Sequence, residues 1–386
     1  MEFDRLAILS ERMANYSLKL KRGERCLIAA GHSAMPLVKA FADACVQAGA
    51  IPITYFMDEE ITRLFLVSLP QDDDKILTEA IGTYVDPINL MMDGVEAVVV
   101  IRSKETDTPY AGATGKTLMA YQNKFGQLFH RFTNEKKWVV LDWPTDLQAA
   151  KANMTYAEFY KFVMDISLVD YAAMYEAALP AKAILDAADQ VHVKGPGTDL
   201  RFSKRGINTI IGAAANSYPD GELYTAPVRD SVEGYVTFTV PSIYMGRTFE
   251  GIRLEFEQGK IVKATCQKGD EAALNAIFQT DAGAAYIGEF ALGINPDVTR
   301  PMNDIHYDEK IAGSFHFTPG NCYNDAYNGN RSSIHWDQVC MQDPAHGGGE
   351  IWLDGQLLRK DGIFVLEPFT ALNPGHGDLV LEPGLS

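Results

Sequence analysis

Apolar positions recur at helical spacing over residues 5–20, and that run stops at Gly23. The short continuous apolar stretch at 26–30 predicts a buried strand, which Gly31 turns into a helix over about 33–47. A second strand is predicted at 51–56, at a sheet edge because Pro52 cannot donate to a ladder. Residues 97–101 and 138–141 read as two more apolar strands with helical segments around them. Alternation of this kind indicates a parallel sheet flanked by helices. A helix over 169–186, kinked or broken at Pro180, closes this half.

Beyond it the period changes from helical to alternating. Strands are predicted at 234–240, 251–256 and 261–266, with hairpin punctuation at Gln258-Gly259 and one helix near 270–280. Asp354-Gly355 and Asp361-Gly362 carry the Asp-Gly signal of a two-residue hairpin. The reading is an α/β N-terminal domain with a parallel sheet over residues 1–184. A β-rich α+β domain carrying the chemistry follows over 185–386.

Charge narrows the partners. Thirty-four basic against 51 acidic residues give a net charge of −17. A nucleic-acid or anionic-membrane surface would need a basic stripe that this balance disfavours. The acidic tip Asp72-Asp73-Asp74 reads as solvated loop. Five scattered cysteines without C-x-x-C fit reduced thiols, the acidic start lacks the order of a signal peptide, and no apolar run reaches the roughly 18 residues of a membrane span. A cytoplasmic protein is expected.

Four of the eight histidines, His306, His316, His335 and His346, fall within 41 residues, together with Tyr323, Asp308, Glu309, Asp325 and Asp337. Such mixing of imidazoles and carboxylates is what transition-metal sites are made of. In His335-Trp336-Asp337 a strand would project imidazole and carboxylate to one side and the indole to the other. His316 lies in Ser314-Phe315-His316-Phe317, where the two rings would face away from it. Each alone also fits a core histidine satisfied by a hydrogen bond. Glu222, in a turn leading to an apolar segment, and Glu289, inside the apolar run 285–292, are costly charges unless capped, paired or bound to a cation. Other motifs fail: Gly31-His32-Ser33-Ala34-Met35 lacks the second glycine of a nucleophile elbow, the Gly-rich stretches match no phosphate loop, and H-E-x-x-H is absent.

Taken in order, Pro219-Asp220-Gly221-Glu222-Leu223-Tyr224-Thr225-Ala226-Pro227, Tyr286-Ile287-Gly288-Glu289-Phe290-Ala291-Leu292, Asp308-Glu309-Lys310, His316 to Tyr323 and Ser333-Ile334-His335-Trp336-Asp337 resemble the motifs of the aminopeptidase T / aminopeptidase S / PepS family of dinuclear metallo-exopeptidases. The resemblance implies a cytosolic homodimer that acts on peptide substrates with two divalent metal ions, of zinc, cobalt, manganese or magnesium. It further implies Glu222, Glu289, His316, His335 and Asp337 as metal ligands and places Tyr323 at the metal centre.

Three carboxylates and two histidines exceed what one catalytic zinc uses, and suit a pair of ions bridged by a carboxylate. The expected reaction is attack of an activated water on the first peptide carbonyl. Glu289 or Glu309 would shuttle the proton, Tyr323 would bind the oxyanion or a metal, and a metal would also take the free α-amine. The alternative is a single-iron ring-cleaving dioxygenase built on His316, His335 and Asp337.

Overall fold

A computed structural model describes residues 2–244 and 246–375, which form two compact units. One comprises the chain up to Ala150, Met154–Met164 and Ala215–Tyr218; the other comprises Lys151–Asn153, Asp165–Ala214 and the chain from Pro219 onward.

The first unit is α/β. Its sheet runs in the order Ile51–Met57, Arg25–Gly31, Ala97–Ser103, Lys137–Trp143, Ser217–Tyr218, with every pair parallel. The run Cys26 to Ala30 is buried throughout, as expected of a strand covered on both faces. Pro52 lies on the edge strand, where its missing N–H costs no ladder bond. Asp73 is more than a solvated tip: its carboxylate accepts from Lys75 N and Ile76 N and caps the helix Asp74–Asp93.

The second unit is β-rich. Eight antiparallel strands pair in the order Lys260–Thr265, Arg253–Glu257, Glu233–Thr237, Thr198–Ser203, Gln190–Gly195, Glu350–Leu353, Gln356–Lys360, Ile363–Phe364. At the hairpins Gln258-Gly259, Asp354-Gly355 and Asp361-Gly362 both central residues have positive φ, the geometry of a type I′ turn. A second antiparallel sheet orders Gln338–Met341, Ser314–Pro319, Ile287–Gly293, Glu222–Thr225 and Ile210–Gly212. Its apolar face interlocks with the larger sheet: Phe202 meets Phe290 edge-on at 5.0 Å, and Phe317 meets Phe256 at 5.8 Å.

Pro180 neither ends nor splits its helix, which continues from Tyr171 to Ala187. The proline and Glu176, whose carbonyl loses its partner, both lie on the exposed side, where water can replace the bond. Tyr171, Met174, Ala178, Ala181 and Leu185 keep the buried stripe continuous across it. Among the described residues all five cysteines are free, and no helix is long and apolar enough to cross a membrane.

The cap at Asp73 sets a test of this architecture. Asp73→Ala should destabilise the protein by about 1 kcal/mol in urea or thermal melts. Asp72→Ala, at an exposed residue before the cap, should leave it unchanged.

Candidate metal centre

The smaller sheet of the second unit gathers the site. Directly opposed residues in neighbouring antiparallel strands share a face. Gly293 pairs with Glu222, Ala291 with both Tyr224 and His316, and Glu289 with Thr318. All of these therefore lie on one face, and the small residues Ala291 and Gly293 leave the middle of it open. Phe290, Phe315 and Phe317 alternate to the other face and are buried in the core. The expected alternation at His316, with both rings facing away from the imidazole, describes this strand.

A register shift between Ile287 and Glu289 marks a bulge at Gly288, which brings Glu289 opposite Thr318. A β-carbon on Gly288 would overlap the Asn321 carbonyl, so glycine is what lets that backbone approach. The same carbonyl accepts a hydrogen bond from His335 Nδ1 at 2.9 Å, which leaves Nε2 of that ring free to act as a donor atom.

His335 lies on an isolated bridge to Gly320 just before the strand that begins at Gln338, and alternation still holds. His335 Nε2 is 3.3 Å from Asp337 Oδ1, while Trp336 turns the other way and donates to Ser242 Oγ at 2.8 Å. Thr318, two residues beyond His316, donates to Asp337 Oδ1 at 2.6 Å.

The donor atoms converge in two groups. Glu222, Glu289 and His316 can offer ligand atoms within 4.8 Å of one another, and so can Glu289, His335 and Asp337. Glu289 belongs to both groups: Oε1 is 3.0 Å from His316 Nε2 and Oε2 is 3.6 Å from His335 Nε2. Oε2 of Glu222, Oε2 of Glu289 and Nδ1 of His316 are buried without a hydrogen-bond partner. Orphaned lone pairs on carboxylates at this depth are costly, and a divalent cation is the partner that satisfies them.

Lys310 is the counter-ion of the wall. Its buried Nζ lies 2.7 Å from Glu222 Oε1, 3.0 Å from Glu309 Oε1 and 3.6 Å from Asp220 Oδ1. Glu309 thus joins the site through the lysine rather than through a donor group. Tyr323 stands at the rim, 46% exposed, its ring 5.0 Å from the His335 ring and 5.5 Å from that of Tyr224. Of the other clustered residues, His306 packs on Tyr307, His346 pairs with Asp343, and Asp308 accepts from Met302 N. None of the three enters a donor group.

Lys310 and Tyr224 stood in the motifs without roles, and only packing shows what they touch. Thr318 carried a readable signal, its spacing of two from His316. The Asn321 contact comes from backbone and leaves no trace in residue type.

Electrostatics follow from this crowding. Burial opposes charge on both imidazoles. Contact with Glu289 and the charge of Glu222 nevertheless lift His316 to about 9, and Asp337 and Glu289 lift His335 to about 10. Burial likewise works against ionised Asp337, but His335 and the Thr318 hydrogen bond hold it far below the usual carboxylate range. Glu309 is pushed up to about 8 by burial, with Lys310 opposing and Asp337 and Glu222 adding repulsion. Burial raises Glu289 as well, against the pull of His316.

Glu222, Glu289 and His316 on three strands of an antiparallel sheet, with His335 and Asp337 just before a fourth, form a candidate metal centre in a chain that also carries a parallel α/β unit. The family described as thermophilic metalloprotease (M29) matches residues 3–350, and the chain belongs to that family.

Aminopeptidase T of Thermus thermophilus is 34% identical over 197 residues, 45% of this chain and 46% of that protein. Aminopeptidase PepS of Streptococcus thermophilus is 36% identical over 126 residues, 30% of each chain. The chain spans less than half the length of the curated relatives it matches. The solved structure of wild-type AmpT from Thermus thermophilus has a TM-score of 0.75 at 21% identity, covering 94% of this chain and 99% of that one. At that identity the likeness establishes the fold.

Two outcomes follow. In the metal-free protein the raised imidazoles stabilise the fold fully below their unfolded value of about 6.5. That contribution is lost as pH rises through the folded values of about 9 and 10. The thermal midpoint of metal-free protein should therefore fall from about pH 6.5 upward, and saturating divalent ions should remove the fall. Separately, Gly288→Ala should displace the Asn321 carbonyl, disorient His335 and weaken metal affinity roughly 10- to 100-fold, measured by calorimetric titration.

Proposed function

We propose that this chain is a metalloaminopeptidase that hydrolyses N-terminal amino acids from peptides, with two divalent ions at Glu222, Glu289, His316, His335 and Asp337. The observation that carries the reading is Glu289, whose two oxygens serve two separate donor groups. Glu222 and His316 complete one group; His335 and Asp337 complete the other. Charge favours bound cations as well: the carboxylates Asp220, Glu222, Glu289, Glu309 and Asp337 crowd around the single ammonium of Lys310.

When bound, such ions supply Lewis acidity toward a peptide carbonyl and a water made nucleophilic at neutral pH. The chain's own groups do the rest. Glu309, with a carboxyl raised to about 8 and held by Lys310, is suited to take a proton from the nucleophile and return it to the leaving amine. It fits that task better than Glu289, whose oxygens are committed to the donor groups. Tyr323, at the rim beside His335, is suited to donate a hydrogen bond to the developing oxyanion. Thr318 and Asn321 hold Asp337 and His335 in orientation. Peptide substrates, a homodimer and a cytoplasmic location complete this reading, and the names of the relatives support the first. The single-iron alternative has no support: both glutamates enter the donor groups beside the His316, His335 and Asp337 triad.

Metal analysis of purified protein should give about two ions per chain, as a paired-ion site requires. Glu222→Ala and His335→Ala should each abolish metal-dependent hydrolysis of aminoacyl-p-nitroanilides. One ion per chain, or full activity in both variants, would overturn the reading.

A further inference from the structure

Asp325, like Asp308 and Asp343, has no part in the chemistry above, yet the fold pins it beside the site. Tyr224 stands on the ligand face, two residues from Glu222 and directly across from Ala291. Its hydroxyl donates to Asp325 Oδ2 at 2.9 Å, and Asn208 Nδ2 holds the Asp325 backbone carbonyl at 3.2 Å. The Tyr224 ring faces that of Tyr323, which in turn meets the imidazole of His335. A continuous aromatic wall therefore runs from a donor imidazole to a fixed carboxylate.

That carboxylate belongs to neither donor group. It is exposed, and among the described residues its side chain has a hydroxyl partner but no cation. The nearby Arg331 is spent elsewhere: it donates to the Cys322 carbonyl and to Asn324 Oδ1 and lies over the Tyr327 ring. An oriented carboxylate with no cation of its own is the complement of an ammonium group, which has three donors and no acceptor.

We infer that Asp325 anchors the α-ammonium of the peptide substrate, with Tyr224 as its positioning residue. The inference rests on the peptidase reading above and gives the free N-terminus to a protein group in place of the metal ion that the sequence reading assigned to the α-amine. An α-amine has a pKa of about 7.7–8.0, so it arrives at neutral pH mostly as the ammonium. A metal ion would require the neutral form, whereas a carboxylate takes the cation as it is.

The test is steady-state hydrolysis of leucyl-p-nitroanilide by the metal-loaded full chain. Asp325→Asn keeps the shape and removes the charge. It should raise KM roughly 10- to 100-fold with a much smaller fall in kcat, at unchanged metal content. Tyr224→Phe should raise KM less, and Asp325→Glu should recover part of the loss. An unchanged KM in Asp325→Asn, a loss confined to kcat, or a loss of metal would overturn the inference while leaving the peptidase reading intact. Wild-type protein that binds metal but cleaves no aminoacyl anilide would overturn both. A KM effect seen only with arginyl or lysyl substrates would assign Asp325 to side-chain recognition and overturn it as well.

Discussion

One buried carboxylate, Glu289, sets the terms for everything around it. Its two oxygens face two different imidazoles from the middle of a strand that is buried along its whole length. An ionised group in that position is tolerable only if several positive partners converge on it. The sheet meets the demand by pairing. Register alone delivers Glu222 and His316 to the same face, one from each neighbouring strand. The aromatic rows on the reverse face then fix the strands against the larger sheet. Core and site are two faces of one object, so a change that slips the register would lose both at once.

Much of this was legible because it depends on short periods. The strand alternation that separates His316 from Phe315 and Phe317, and His335 and Asp337 from Trp336, is a property of two or three consecutive residues. The α/β first half, the edge position of Pro52 and the hairpins at Asp-Gly and Gln-Gly are likewise local. Local signals failed where exposure decided the outcome. Pro180 sits on the wet side of its helix, where a missing hydrogen bond can be replaced by water, so a residue that breaks buried helices leaves this one whole. Asp73 found a structural task because its carboxylate happens to sit next to free N–H groups.

The rest of the site was hidden because it is assembled across long sequence separations. Lys310 reads as one more charge in an acidic motif until the fold carries Asp220 and Glu222 to it. The orientation of His335 depends on a backbone carbonyl that approaches only because residue 288 has no side chain. Clustering in sequence also overstated the site, since His306 and His346 fall in the same window and take up contacts elsewhere. What made the candidate ligands recognisable was the order of five short motifs. That order mirrors the order in which the strands and loops of one sheet visit one face.

On the proposed reading, the centre without its ions would hold substitutes for them. Each donor imidazole shares a proton with a carboxylate, and Lys310 stands among three more. Replacing the two imidazole protons by two divalent ions adds positive charge beside the carboxylates. It also requires no new orientation of His335 or Asp337, because Asn321 and Thr318 already hold them. A site organised in advance spends little of its binding free energy on rearrangement, and that economy is what lets a sheet, rather than a flexible loop, carry a reactive centre. Contact with the substrate is then left to the rim, where Tyr323 is exposed and the Tyr224 hydroxyl orients the Asp325 carboxylate. Those are the groups free to meet a substrate whose identity varies while its N-terminus does not.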